Sequence, residues 1–251
     1  MKNRTIKTPV FTLVIIALAA GLVCSVLVSI TFGNADISLG DVYKVILYEI
    51  SHASGLDDYS QGAIHDVVWL IRFPRILMAI AVGMGLSVCG AVMQAVVKNP
   101  LADPYVLGVS SGAYLGAAAS IILGIGSVVG DNSIGIMAFA GAFLASLAVL
   151  AISGIGGRSS AARLILAGMA ISAVCSAFAN FLIYMAQDRE ATTQISYWSM
   201  GSLAAADWDN VPVTLIVMIL GTLIFMTQYR KLNLMLLGDE TAITLGTNLH
   251  R

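Results

Sequence analysis

Charge is what this sequence has least of. Asp, Glu, Lys and Arg together make up 11% of its 251 residues, while 58% are hydrophobic. A soluble domain carries about 25% charged residues, so this chain is solvated mainly by lipid. Its formal net charge of −1 lacks the basic excess that a nucleic-acid partner requires. Cysteine is scarce as well. Cys24, Cys89 and Cys175 sit singly inside apolar runs with no CxxC spacing, so they read as small buried hydrophobes rather than disulfide or metal ligands. His52, His65 and His250 have neither metal-ligand spacing nor a carboxylate at catalytic spacing, and they read as ordinary solvated side chains. No GxxxxGK[ST] motif and no Gly-Lys pair occurs, so the chain has no loop of its own to cradle a nucleotide phosphate. No catalytic group, metal site or cofactor is expected.

What the chain has is long apolar runs. A membrane span takes about 20 predominantly apolar residues, which places spans near 10–32, 76–97, 106–130, 133–153, 163–187 and 211–229. The fold class that follows is all-α: a polytopic transmembrane helical bundle forming one domain over 1–251, with an outer loop over 33–68 and a cytoplasmic segment over 234–251. The first run exceeds a signal-peptide core of roughly 7–15 residues and lacks a small-residue cleavage site, so it reads as a retained span. The region 191–209 mixes Tyr197, Trp198 and Trp208 with Asp207 and Asp209. Rings of that kind favour the membrane interface, and a short half-inserted helix would suit them.

Basic residues orient the bundle. With the N-terminus inside, Lys2, Arg4, Lys7, Lys98, Arg158, Arg163, Arg230, Lys231 and Arg251 are inner, and only Lys44, Arg72, Arg75 and Arg189 are outer. That bias obeys the positive-inside rule. The apolar cores hold no ionisable side chain; Gln94, Asn180 and Gln187 are their most polar groups. An ionisable group in hydrocarbon usually marks a proton relay or ion site, so the spans look unable to power transport or perform hydrolysis themselves. Any energy must come from a partner.

Three segments carry more specific information. The first is R-F-P-R at 72–75, just before the second span. The second is K-N-P-L-A-D-P from Lys98 to Pro104, followed by G-V-S-S-G-A from Gly108 to Ala113. Around it, small residues recur at every fourth position in two series: Ala79, Gly83, Ser87, Ala91, Ala95 and Gly108, Gly112, Gly116, Ser120, Gly124. Positions i and i+4 share a helix face, so each series predicts a groove for close helix packing. The third segment is L-L-G-D-E-T-A-I-T-L-G, where Asp239 is placed to cap a short helix and Gly246 to end it. Two turns of helix are not stable alone in water, so this segment should rest on a neighbour.

Taken together and in this order, these motifs resemble the FecCD-type permease subunit of bacterial and archaeal ABC importers for iron-siderophores, haem and cobalamin. The resemblance runs from the first span to residue 251. It implies a large-substrate ABC importer permease in the plasma (inner) membrane, working as a homodimer or heterodimer within the lipid bilayer. A cytoplasmic ATPase subunit would hydrolyse ATP, and an extracytoplasmic substrate-binding protein would deliver the chelate. Arg72 and Arg75 match the outer arginines that receive acidic residues of the binding protein. Gly238, Asp239, Glu240, Ala242, Leu245 and Gly246 match the coupling segment that touches the ATPase. Asn99, Pro100, Leu101 and Ala102 match a structural turn, and Gly83, Ser87, Gly108, Gly112 and Gly116 serve helix packing. Family members continue with further spans, so the resemblance also implies a chain truncated after the coupling helix. Two other readings stay open here: a non-transporting remnant or half-permease that needs a second polypeptide, and an ion-coupled carrier, which the charge-free cores disfavour.

Overall fold

The computed structural model describes residues 8–33, 35–125, 130, 132–155, 160–236 and 238. Among them the chain is helical throughout, without a strand. The helices are α1 Thr8–Thr31, α2 Leu39–Ser51, α3 Ala63–His65, α4 Phe73–Val97, α5 Val109–Leu123, α6 Ser133–Gly154, α7 Ala161–Ala186, α8 Arg189–Met200, α9 Val211–Thr227 and α10 Tyr229–Met235. Among the described residues, four helical stretches are long and apolar enough to cross a membrane, or five if α9 and α10, bent by 63° at their junction, count as one span. The bundle is that of a multi-pass membrane protein. Its contacts divide into two compact units, Met1–Gly83 with Leu203–Ile219, and Met84–Ser202 with Leu220–Arg251.

In the first unit, α1 is a plain apolar rod, with only 6% of its most apolar window buried inside the protein. The segment 33–68, expected to be an outer loop, contains real structure. Ser38 caps α2 by accepting the Asp41 N–H at 3.2 Å, and Val42 and Val45, one turn apart, bury against Ile30 and Val68. Ser38 and Tyr59 both donate to the Asp41 carboxylate, at 2.7 and 2.9 Å. The amphipathic spacing within α2 was legible, but its apolar face is narrow and escapes a window tuned to membrane spans.

A π-helical stretch, Asp66–Arg72, joins α3 to α4, making one helix of 35 residues, Ala63–Val97. The apolar run Ile76–Val97 is enough to cross a bilayer at about 20 residues, so the N-terminal third stands beyond the hydrocarbon. Pro74 lies inside this helix and is fully buried. An interior proline removes one backbone donor and crowds the preceding turn, and the wider π turns sit immediately before it. Helix distortions of this kind mark a proline or a π insertion, and here both coincide.

The second unit is organised around α5, which packs between α6 and α7. Gly112, Gly116, Ala117, Ala118 and Ser120 of α5 are buried. The expected span 106–130 is corrected to a helix of 15 residues, about 22 Å long at 1.5 Å per residue. Pro104–Leu107 form a separate 3₁₀ turn. The helix stops at both ends on left-handed glycines, Gly108 (φ 71°) and Gly124 (φ 64°), a conformation that costs other residues more. At one end Met93, Val97, Val149, Leu164 and Ala167 bury together, with Ala102 and Leu107 against them. At the other, Ala118, Ala179 and Ile195 form a second cluster. α8, in the region expected to be interfacial, therefore folds back onto α5 and α7. Asp188 starts it by accepting the Glu190 and Ala191 N–H groups at 2.8 and 3.3 Å.

Small residues set the spacing of this unit, though only one of the two predicted series does so. A Cβ on Gly112 would lie 2.5 Å from the Gly141 carbonyl oxygen, and one on Gly116 would collide with the Met137 carbonyl. Gly168 of α7 lies directly against the Val106 carbonyl. Gly83 and Ser87, predicted to serve the same purpose on α4, are exposed instead, and a Cβ on Gly83 would meet nothing within 4 Å. Spacing of i, i+4 defines a face, but which face meets a neighbour is decided by the neighbours. Accordingly, Gly168→Ala should destabilise the protein by roughly 1–3 kcal/mol or more, the usual cost of overpacking. Gly83→Ala should be neutral or slightly stabilising, since alanine favours helix. Thermal unfolding of the two variants in detergent checks the contrast.

Candidate functional site

The R-F-P-R segment lies where the first unit gathers the end of α1, the π stretch and the loop 203–210 that leads into α9. Sequence treated Arg72 and Arg75 as a pair; the structure separates them. Arg72 is only 8% exposed. Its Nη1 donates to the Ile30 and Thr31 carbonyls at 3.1 and 3.0 Å, and its Nη2 to the Ala35 carbonyl at 2.8 Å. The last carbonyls of a helix have no partner within it and carry partial negative charge. A planar, permanently charged fork meets both needs. Gly33 makes this possible, because a Cβ there would fall 2.6 Å from Nη2 and 2.8 Å from Cζ. The expectation that Arg72 presents its guanidinium to a partner is therefore corrected: that group is committed to the end of α1.

Arg75 is exposed, and its Nη2 donates to the Ala204 carbonyl at 3.2 Å. The same loop returns a second contact to the helix. The indole Nε1 of Trp208 donates to the Trp69 carbonyl at 2.8 Å, and its ring packs on Trp69 and Phe73 with centroids 4.8 and 5.8 Å away. The reason lies in Pro74. Phe73 N–H donates to the Val68 carbonyl, five residues back. In that register the Trp69 carbonyl should receive the N–H of residue 74, which proline lacks. Trp208 supplies the missing donor.

The two sides of His65 are both occupied. Nε2 lies 3.0 Å from Glu49 Oε1 on α2, and Nδ1 lies 3.1 Å from Asp66 Oδ1. Reading this histidine as an ordinary solvated side chain is corrected. Partial burial works against its charged form, but the hydrogen bonds to Asp66 and Glu49, aided by their charges, outweigh it and raise the imidazole above its ordinary value. Glu49 is 16 residues away in sequence, so no local spacing could have announced the clamp.

The remaining sequence-derived residues stand apart from this cluster. Asn99–Ala102 forms a turn in which Asn99 Oδ1 accepts the Leu101 N–H at 2.9 Å and the Asn99 carbonyl accepts the Ala102 N–H at 3.0 Å. Gly238 has φ 98°. Asp239, Glu240, Ala242, Leu245 and Gly246 lie outside the described residues. Among the described residues no group of three or more His, Cys, Asp or Glu could hold a metal ion. Sequence reasoning missed Gly33, Glu49 and Trp208. Only Trp208 had a readable signal, since a proline inside a helix leaves a carbonyl that something must serve.

Two outcomes follow. Arg72→Ala should lower stability by on the order of 3 kcal/mol, because buried carbonyls lose a charged donor, and Arg72→Lys should rescue little of it; thermal melting tests both. His65 has a raised folded pKa, so its contribution is complete below about 6.5 and is lost as pH rises through the folded value. The stability gap between the parent chain and His65→Gln should therefore shrink as melting is repeated at increasing pH from 6 to 9.

The chain is similar to permeases. It is 38% identical over 185 residues to a cobalamin import system permease protein of Halobacterium salinarum, covering 74% of this chain and 49% of that protein. It is 40% identical over 187 residues to a hemin transport system permease protein of Yersinia pestis, covering 73% and 55%. It is 36% identical over 230 residues to an iron chelatin transport system permease protein of Helicobacter pylori, covering 90% and 67%. The fold matches a solved structure described as an inward-facing conformation of a metal-chelate type ABC transporter, with a TM-score of 0.72, 26% identity, and coverage of 93% of this chain and 66% of that one. The chain thus spans about half the length of the first two relatives. The model of the FecCD transport family matches residues 21–251, and the chain belongs to that family.

Proposed function

We propose that this chain forms part of the membrane permease of an ATP-driven importer for a metal chelate, of the iron-siderophore, haem or cobalamin kind. The observation that carries this reading is the family match over residues 21–251, joined to relatives that are permeases for cobalamin, hemin and iron chelate. The spans add a physical reason. Their apolar cores contain no Asp, Glu, Lys, Arg or His to couple to a gradient, and the sequence has no GxxxxGK[ST] loop, so the power stroke belongs to a cytoplasmic ATPase partner. The segment with Gly238, Asp239, Glu240, Ala242, Leu245 and Gly246 is the contact for that partner, with the N-terminus cytoplasmic and the chain in the inner membrane. A second permease chain, identical or homologous, completes the pathway. α4 and α9 each run through both compact units, which supports reading 1–251 as one permease domain.

On the opposite side, Arg75 is the contact for an acidic group of the substrate-binding protein. It is exposed, and its guanidinium keeps donors beyond the bond to Ala204, whereas Arg72 braces α1 beneath it. A fork of this kind holds a carboxylate in two parallel bonds. Reconstituted vesicles containing the chain, its ATPase and its binding protein test the proposal. Uptake should follow ATP and stop with Gly246→Trp; uptake that instead collapses with the membrane gradient at constant ATP would show an ion-coupled carrier. In the same system Arg75→Ala should weaken binding-protein docking roughly tenfold, the scale of one charged hydrogen bond, and the loss should shrink as salt is raised.

A further inference from the structure

The loop 203–210 is stiff within itself. The Asp207 carboxylate accepts the Asp209 and Asn210 N–H groups at 3.0 and 2.9 Å, Asn210 Oδ1 accepts the Asp207 N–H at 3.2 Å, and Asn210 Nδ2 donates to the Ala205 carbonyl at 2.8 Å. The Ala206 N–H donates to the Leu203 carbonyl at 3.1 Å, so the ties run from Leu203 to Asn210, with Trp208 and Ala204 between them. Trp208 is the anchor, held by the Trp69 carbonyl and by the faces of Trp69 and Phe73. The position so fixed includes the Ala204 carbonyl, and that oxygen receives Nη2 of Arg75. Pro74 sits next to Arg75 in sequence, so the same residue that empties the Trp69 carbonyl also starts the turn that carries the arginine.

We propose that Trp208 is a positioning residue for docking: by serving the carbonyl that Pro74 leaves without a donor, its indole N–H pins the 203–210 loop and sets the direction of the Arg75 guanidinium. The proposal rests on Arg75 as the docking contact. A long, flexible arginine loses rotamer freedom on binding, and a carbonyl already holding one of its nitrogens removes part of that cost before the partner arrives. Ring packing alone does not explain the arrangement. A phenylalanine would fill the same apolar site, whereas the indole N–H also donates to the Trp69 carbonyl, whose donor in the π register would be the N–H that Pro74 lacks.

The test uses the full chain in lipid nanodiscs, titrated with the purified substrate-binding protein of its source organism, and Trp208→Phe, which keeps a ring and removes the donor. Docking should weaken about three- to tenfold, the scale of one neutral hydrogen bond. In the Arg75→Ala background the same change should have no further effect, because the two residues act in series. A second variant separates positioning from stability. Adding Pro74→Ala to Trp208→Phe returns a backbone N–H to the Trp69 carbonyl but does not tie down the loop, so the melting temperature should recover while docking stays weak. If docking recovers together with stability, or if Trp208→Phe weakens docking equally with and without Arg75, the positioning role is overturned and the docking reading survives. If Arg75→Ala itself leaves docking unchanged, the docking reading falls and the role of Trp208 falls with it.

Discussion

A carbonyl stranded by a helix end or a proline, and buried away from solvent, needs a donor from elsewhere in the protein. The first unit is arranged around two places where such carbonyls occur. The end of α1 is served by the buried fork of Arg72, which reaches Ile30, Thr31 and Ala35 together. The turn emptied by Pro74 is served by Trp208 from the loop before α9. Each donor comes from a distant part of the chain, so satisfying local backbone chemistry also ties α1, α4 and the approach to α9 into one body. Glu49 and His65 add a third tie, between α2 and α3.

The second unit is held by a different constraint. Its helices α5, α6 and α7 carry a single charged side chain, Arg163, and they are held by close packing of backbones rather than by directed donors. Gly112, Gly116 and Gly141 let α5 and α6 approach until main-chain atoms touch, and Gly168 does the same for the turn at Val106. Packing this tight tolerates little change in volume. It also seats the short α5 at the centre of the unit, with its N-terminal end at Gly108 against Gly168, Ile171 and Ser172 of α7.

These two modes of construction suit a permease subunit. On the proposed function, a pathway for a large chelate benefits from apolar span cores without charges that would grip it, and the energy source and the recognition of cargo lie in partner proteins. The polar chemistry is accordingly gathered at the ends of helices. Within the R-F-P-R motif the labour is divided: one arginine is spent on holding the helix end, and the other remains exposed. Two residues of one motif, three positions apart, meet different surroundings, because Arg72 ends the π stretch and Arg75 follows Pro74 in the first turn of α4.

Much of this was legible beforehand. Apolar length, the scarcity of charge and the order of the motifs determined the all-helical bundle and the family, since a bilayer imposes the same requirement on any segment that crosses it. The turn at Asn99 and the glycines flanking and lining α5 could also be read, because turn chemistry and i, i+4 spacing are local. Tertiary structure alone decided which face of α4 stays open at Gly83 and Ser87, and why α5 is 15 residues long rather than a full span. It likewise decided that Arg72 turns inward, that His65 is clamped, and that Trp208 replaces the donor missing at Pro74. Each of these depends on partners between 16 and 139 residues away, and a sequence states which donors and acceptors exist without stating which of them the fold will bring within 3 Å.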